Sequence, residues 1–205
     1  MVIGYQFRGH DNDSYMLGEE TRRAASEAER EFFDWRFTQN GEQHPATCPT
    51  CGRKVDRDYV SPSFKLRRKR MDVSGTYDGY VIVSERFRQF CRTKSIPNVE
   101  FLRLPSQPLH YWFRVLRLVE VDTKISLGLR FLYFCPMCHA HAGVFGTSRL
   151  RFKGWETTVP KGFSRTDLEF AQAHQQHPVI VVDPELAEEL KAEKFRGMCL
   201  TEMEI

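Results

Sequence analysis

The sequence predicts a strand-rich α+β protein, a mixed fold with two loosely repeated strand–helix–strand units and two cysteine knuckles. Three observations carry that expectation. Cys-Pro-x-Cys occurs twice, at Cys48–Cys51 and Cys135–Cys138. Short β-branched runs each lead into an amphipathic helix, once in 80–104 and again in 179–203. Aromatic residues are plentiful, with 16 Phe, 7 Tyr and 3 Trp, which argues against extensive disorder.

With 205 residues the chain can bury a sizeable core as one large domain or two small ones. Hydrophobic residues make up 41% and charged residues 28%, ordinary values for a globular chain. A net charge of +3 neither demands nor excludes an anionic partner. The opening MVIGYQFRGHDND has no basic segment ahead of an apolar run, and no stretch approaches the length of a membrane span. The expected location is the cytoplasm, where the 6 cysteines would be thiols or metal ligands rather than disulfides.

In chain order, YQFR (5–8) reads as a strand, and 18–37 as a helix with Ala24, Ala28, Phe32 and Trp35 on one face. The first knuckle follows in ATCPTCGRK (46–54). Proline after the first cysteine fixes φ for a tight turn, so that the two sulfurs converge and backbone amides can point at them. Gly52 suits the left-handed position that turns the chain away. KLRRKR (65–70) is a basic run in a loop, with Ser61, Pro62 and Ser63 just before it. Residues 109–121 and 127–134 read as strands of the central sheet, with Trp112 in the core. The second knuckle lies in YFCPMCHAHAG (133–143).

Two such knuckles supply four thiolates for a tetrahedral zinc, the ligands being Cys48, Cys51, Cys135 and Cys138. A redox CxxC prefers a helix N-terminus in a βαβ pattern, whereas glycine or a His-rich loop follows these pairs. His139 and His141 are spare beside four cysteines and read as surface residues next to a structural metal, with His139 the candidate substitute ligand. A catalytic zinc would also need a general base, and neither HExxH nor HxE…CxxC occurs. Cys91 and Cys199 read as lone thiols. Asp11 and Asp13, like Asp56 and Asp58, read as loop charges. No phosphate loop, nucleophile elbow or triad signature is present, so nothing in the sequence makes a case for an enzyme.

Cys51 and Cys135 are 84 positions apart, far beyond an ordinary zinc ribbon, and an internal comparison gives that distance a sense. A shift of 99 places Val81, Ile82 and Val83 on Ile180, Val181 and Val182. Ser84 then falls on Asp183, Phe87 on Leu186, Cys91 on Leu190 and Phe101 on Leu200. Ser84 and Asp183 are good N-caps, and Pro184 takes the favoured first helical position. YQFR (5–8) and YWFR (111–114) each precede a knuckle. The expected order is therefore strand, knuckle and strand–helix–strand, once in 1–105 and once in 106–205, within one integrated globular unit. A metal shared between the halves would clamp them together; structural zinc is worth about 10–16 kcal/mol in small peptides.

The two CPxC knuckles, together with VIVSERFRQF…IPNVEFLRL and HPVIVVDPELAEELKAEKFRGMCL (177–200), resemble the myxobacterial double-CXXCG family. Those proteins are immunity proteins for swarming-inhibition (Sit) toxins. Cys48, Cys51 and Gly52 fit the first CXXCG fully; Cys135 and Cys138 fit the second, with His139 where glycine belongs. The resemblance implies a cytoplasmic immunity protein that binds and neutralises a cognate toxin by stoichiometric contact and needs no catalytic residues. The alternative is a zinc-ribbon-type nucleic-acid binder using Lys65, Arg67, Arg68, Lys69 and Arg70.

Overall fold

The computed structural model describes residues 2–18, 21–23, 33–38, 42–105, 107–155 and 158–204. The chain opens with β1 (Val2–Asp11), which buries Ile3, Tyr5 and Phe7. Next come β2 (Thr21–Arg23) and β3 (Phe33–Thr38), which pair antiparallel with each other. The helix expected over 18–37 thus fails at both described ends, and its middle, including Ala24, Ala28 and Phe32, lies outside the described residues. Phe33, Trp35 and Phe37 recur with period two, which suits a strand and competes with the helical spacing.

β4 (Val73–Gly75), β5 (Val81–Ser84), α1 (Glu85–Thr93), β6 (Val99–Leu104) and β7 (Gln107–Val115) follow. The first expected strand–helix–strand segment is β5–α1–β6. Ser84 caps α1 by accepting from the Phe87 amide, and the helix buries Phe87 and Cys91. The later segment is β14 (His177–Val182), α2 (Pro184–Glu193) and β15 (Met198–Glu204). There the Asp183 carboxylate accepts from the Glu185 and Leu186 amides, and Leu186 and Leu190 are buried. Both caps and both apolar faces fall where the local sequence places them.

Between these segments lie β8 (Leu118–Val119), β9 (Arg130–Phe131), β10 (Phe134–Cys135), β11 (Ala140–His141), β12 (Gly143–Phe145) and β13 (Phe163–Gln172). A 3-10 turn, Ala173–Gln175, connects β13 to β14. The strand expected over 109–121 is broken between β7 and β8. That expected over 127–134 shrinks to two-residue pieces, β9 standing at the end of the sheet and β10 outside it. Gly128, at φ +78°, turns the chain there, and Leu127, Leu132 and Tyr133 are exposed, so no buried face holds a longer strand together.

The main sheet is mixed and has 11 strands among the described residues, in the order β6-β7-β5-β4-β1-β14-β13-β12-β9, with β15 also on β1 and β8 on β13. Strands from both sides of residue 105 share it. β7 lies between β5 and β6, and β1 lies between β14 and β15. Trp112 on β7 pairs with Ile82 and Leu102, whereas Gln6 on β1 pairs with Val181 and Thr201. Tyr111 faces Val83 and Arg103, whereas Tyr5 faces Val182 and Glu202. The partners are related by the same shift of 99, residue for residue.

One cluster joins the two segments: Phe87 of α1 and Leu186 and Leu190 of α2 pack with Tyr5, Phe7, Tyr111, Phe113 and Phe163. The rings of Phe7, Phe113 and Phe163 meet edge to face at 5.1–5.9 Å. A separate cluster holds Trp112, Ile82 and Leu104, roofed by Phe64 and Leu66, so Trp112 is a core residue as expected. Two glycines allow the crossing of β1, β4 and β15. A side chain at Gly9 would collide with the Ser74 backbone, and Gly197, at φ +80°, lies against the Val73 carbonyl. No helix among the described residues is long and apolar enough to cross a membrane.

Candidate metal centre

The first knuckle begins at an isolated antiparallel bridge between Thr47 and Lys54. The Cys48 amide donates to the Arg53 carbonyl at 2.8 Å, and the Gly52 amide to the Cys48 carbonyl at 2.9 Å. Gly52 has φ +72°, the left-handed geometry expected of it. The second knuckle joins β10 to β11, with Cys135 paired to Ala140 and Phe134 to His141. Here His139 has φ +52° and fills the position that Gly52 holds in the first turn. The turn keeps its course with a histidine, at a cost of about 1 kcal/mol for an L-residue in that conformation.

Together the turns bring Cys48, Cys51, Cys135 and Cys138 to one point. All four sulfurs lie within 4.8 Å of one another. Cys48 and Cys135 are 3.8 Å apart, and Cys51 and Cys138 are 3.6 Å apart. Disulfide sulfurs would be about 2.05 Å apart. Tetrahedral metal–sulfur bonds of about 2.3 Å put sulfurs about 3.8 Å apart, which these pairs match. Cys48 and Cys135 are buried, while Cys51 and Cys138 are half-buried. The residues present therefore fit a tetrahedral metal ion with a closed, four-sulfur donor set.

The local electrostatics separate the thiols. Backbone amides of Cys138 and Met137 point at the Cys135 sulfur and hold its pKa down at about 7. Burial pushes the Cys51 and Cys138 thiols up. A cation at the centre would reverse that cost by favouring thiolate.

Side chains also tie the knuckles together. Buried Gln176 accepts from Arg53 Nε at 2.6 Å and donates to the His141 carbonyl at 3.0 Å. Arg53 also meets the Glu169 carboxylate at 2.8 Å, which Arg57 shares at 3.0 Å. Beyond them Lys54 is buried, donates to the Asp78 carbonyl and lies 4.3 Å from the Tyr80 ring centre. Burial depresses the Lys54 amine to about 8, with Asp78 opposing the shift. Burial raises the Asp78 carboxyl, which accepts from the Leu17 amide at 2.8 Å.

Other candidates fall outside the cluster. His139 is exposed, and His141 Nδ1 lies 2.8 Å from the Leu132 carbonyl with its ring between Phe131 and Phe134. Cys91 is buried, with its thiol pushed up to about 12, and neither it nor Cys199 joins the four. In the basic run, Lys65, Arg67, Arg68, Lys69 and Arg70 are exposed, while Phe64 and Leu66 anchor the loop. Arg68 is paired with Asp13 at 2.6 Å. Asp58 pairs with Arg114 at 3.0 Å and accepts no role at the metal.

Sequence reasoning missed the polar residues behind the first knuckle. Arg53, Lys54 and Arg57 are visible as charges after CPxCG, but their partners Asp78, Glu169 and Gln176 are distant in sequence. It also missed the exposed apolar face of the second knuckle. The run Phe131, Leu132, Tyr133 and Phe134 was the available signal. No family model matches the chain, and no curated protein matches it.

Proposed function

We propose that this chain is an immunity protein of the double-CXXCG kind. It binds and neutralises a cognate bacterial toxin, encoded beside it, by stoichiometric contact and catalyses no reaction. In this reading Cys48, Cys51, Cys135 and Cys138 hold one structural Zn²⁺. The two strand–helix–strand segments are copies of one unit, and each half of the chain, 1–105 and 106–205, contributes a knuckle to the shared ion. The matched registers around Trp112 and Gln6 support the copy relation. The closed sulfur set supports a structural rather than a water-activating metal.

The observation that carries the binding role is the outward face of the second knuckle. Tyr133, Phe134 and Met137 are 60%, 52% and 62% exposed. Phe131 and Phe134 flank the His141 ring at 5.0 and 5.4 Å, which makes the aromatic strip continuous. Exposed apolar patches of this kind mark interaction surfaces. Charge points to the partner's chemistry: residues 127–146, which carry the patch, include Arg130 but no Asp or Glu. The complementary toxin surface is apolar with an acidic rim.

The test is co-purification with the neighbouring toxin, together with protection of cells that express it. A one-to-one complex and protection are expected. Failure to bind or to protect overturns the reading. Nucleic-acid binding with a steep salt dependence, abolished by neutralising 65–70, would replace it.

A further inference from the structure

Away from the sulfur cluster, a cavity of about 130 Å³ opens between β5–β7 and β13–β14, where the two matched segments meet. Its apolar wall is Tyr80, Trp112, Phe113, Val115, Pro178 and Ile180. Its charged lining is unbalanced: Lys54, Arg57, Arg114 and Arg165 face only Asp58 and Glu169.

Most of these charges are already committed. Arg57 shares Glu169 with Arg53, Arg114 holds Asp58, and Lys54 donates to the Asp78 main-chain carbonyl while the Asp78 carboxylate offsets its charge. Arg165 differs from the rest. Its Nε donates to the Val115 carbonyl at 2.8 Å, and among the described residues its guanidinium meets no carboxylate. Burial works against its charge and Arg57 and Arg114 add repulsion, which Glu169, itself held by Arg53 and Arg57, offsets only in part. A half-buried guanidinium beside like charges, opening on an apolar cavity, is a demand for an anion.

We propose that this cavity binds a small organic carboxylate, with the carboxylate on Arg165 and a flat apolar body against Tyr80 and Trp112. The guanidinium fork suits two parallel bonds to a carboxylate, and one uncommitted cation calls for a single negative charge. The volume limits the body to about one aromatic ring, since a cavity of about 150 Å³ accepts benzene. The carboxylate belongs either to a free small acid or to the end of a peptide chain. This inference stands independently of toxin binding.

Calorimetry on the zinc-loaded full chain tests it, with benzoate, its neutral isostere benzamide, inorganic phosphate and the tripeptide Gly-Gly-Phe as probes. Saturable one-to-one binding of benzoate is expected, at least tenfold tighter than benzamide or phosphate. R165Q should weaken benzoate at least tenfold while keeping its zinc and its melting temperature. Tighter binding of Gly-Gly-Phe than of benzoate assigns the site to a chain end; the reverse order assigns it to a free acid. No saturable binding of either carboxylate, or equal binding of benzamide, overturns the proposal. The benzamide comparison decides the matter even if R165Q does not fold.

Discussion

The two knuckles share a cysteine spacing and a left-handed fifth position, yet they face opposite circumstances. The first is set into the molecule: Thr47, Cys48 and Lys54 are buried, and Arg53 is held by Gln176 and Glu169. The second has only Cys135 fully buried, and it turns Tyr133, Phe134 and Met137 outward. One motif is thus buried among charged partners in one place and left exposed in the other. The difference comes from the flanking residues, which are charged with buried partners at the first knuckle and aromatic without cover at the second.

Removing a sulfur should erase that difference, because both knuckles depend on the same centre. Cys48→Ser and Cys135→Ser should each lose the metal and cost about 5 kcal/mol or more, given the worth of structural zinc. Metal stoichiometry and thermal melting check this; retention of zinc with an unchanged melting temperature would break the shared-centre account.

Outward residues should behave oppositely. Phe134→Asp with Met137→Asp should weaken toxin binding at least a hundredfold, or about 3 kcal/mol, while zinc content and melting stay near wild type. If stability falls as much as affinity, this face is a core element rather than a platform.

At the anchored knuckle, Lys54 gives a pH signature. Its amine sits at about 8 when folded, against 10.5 for an ordinary lysine. Between those values the unfolded chain holds the proton more tightly, so this group's contribution to stability rises as pH increases from about 8 to 10.5. The rise is at most about 3 kcal/mol. Chemical denaturation from pH 7 to 10 should show it in wild type, and Lys54→Met should lack it. Gln176→Ala should cost about 1–3 kcal/mol by stripping Arg53 and the His141 carbonyl of a buried partner, with zinc retained. A neutral effect would mean that the metal alone joins the turns.

The smallest test concerns the fifth position. Gly52→Ala should destabilise by about 1 kcal/mol, whereas His139→Gly should be neutral or stabilising by a similar amount. A lower melting temperature for Gly52→Ala and an unchanged or higher one for His139→Gly are the expected result.

What could be read in advance was local chemistry. CPxC spacing, the Ser84 and Asp183 caps and the apolar faces of α1 and α2 each lie within a few residues of sequence, and each was legible. Pairing across the chain was not. Nothing near YQFR states that β1 runs between β14 and β15, and nothing near YWFR states that β7 runs between β5 and β6. The cavity at their junction, with Arg165 as its uncommitted cation, exists only once that pairing is made. The described ends of 18–37 were misread because aromatic residues there satisfy both periods. At 127–134 the apolar run reads as a strand of the central sheet, although most of its large residues face outward.

The placement of β1 also imposes an order of events on the nascent chain. β7 finds β5 and β6 among residues made shortly before it. In contrast, Phe7 must wait for Ile180, roughly 170 residues later. At about 5–20 residues per second that wait is roughly 10–35 s. One motif can be complete on the ribosome while its counterpart still lacks both flanking strands. The oldest strand of the sheet is thus flanked on both sides only after the youngest two have been made.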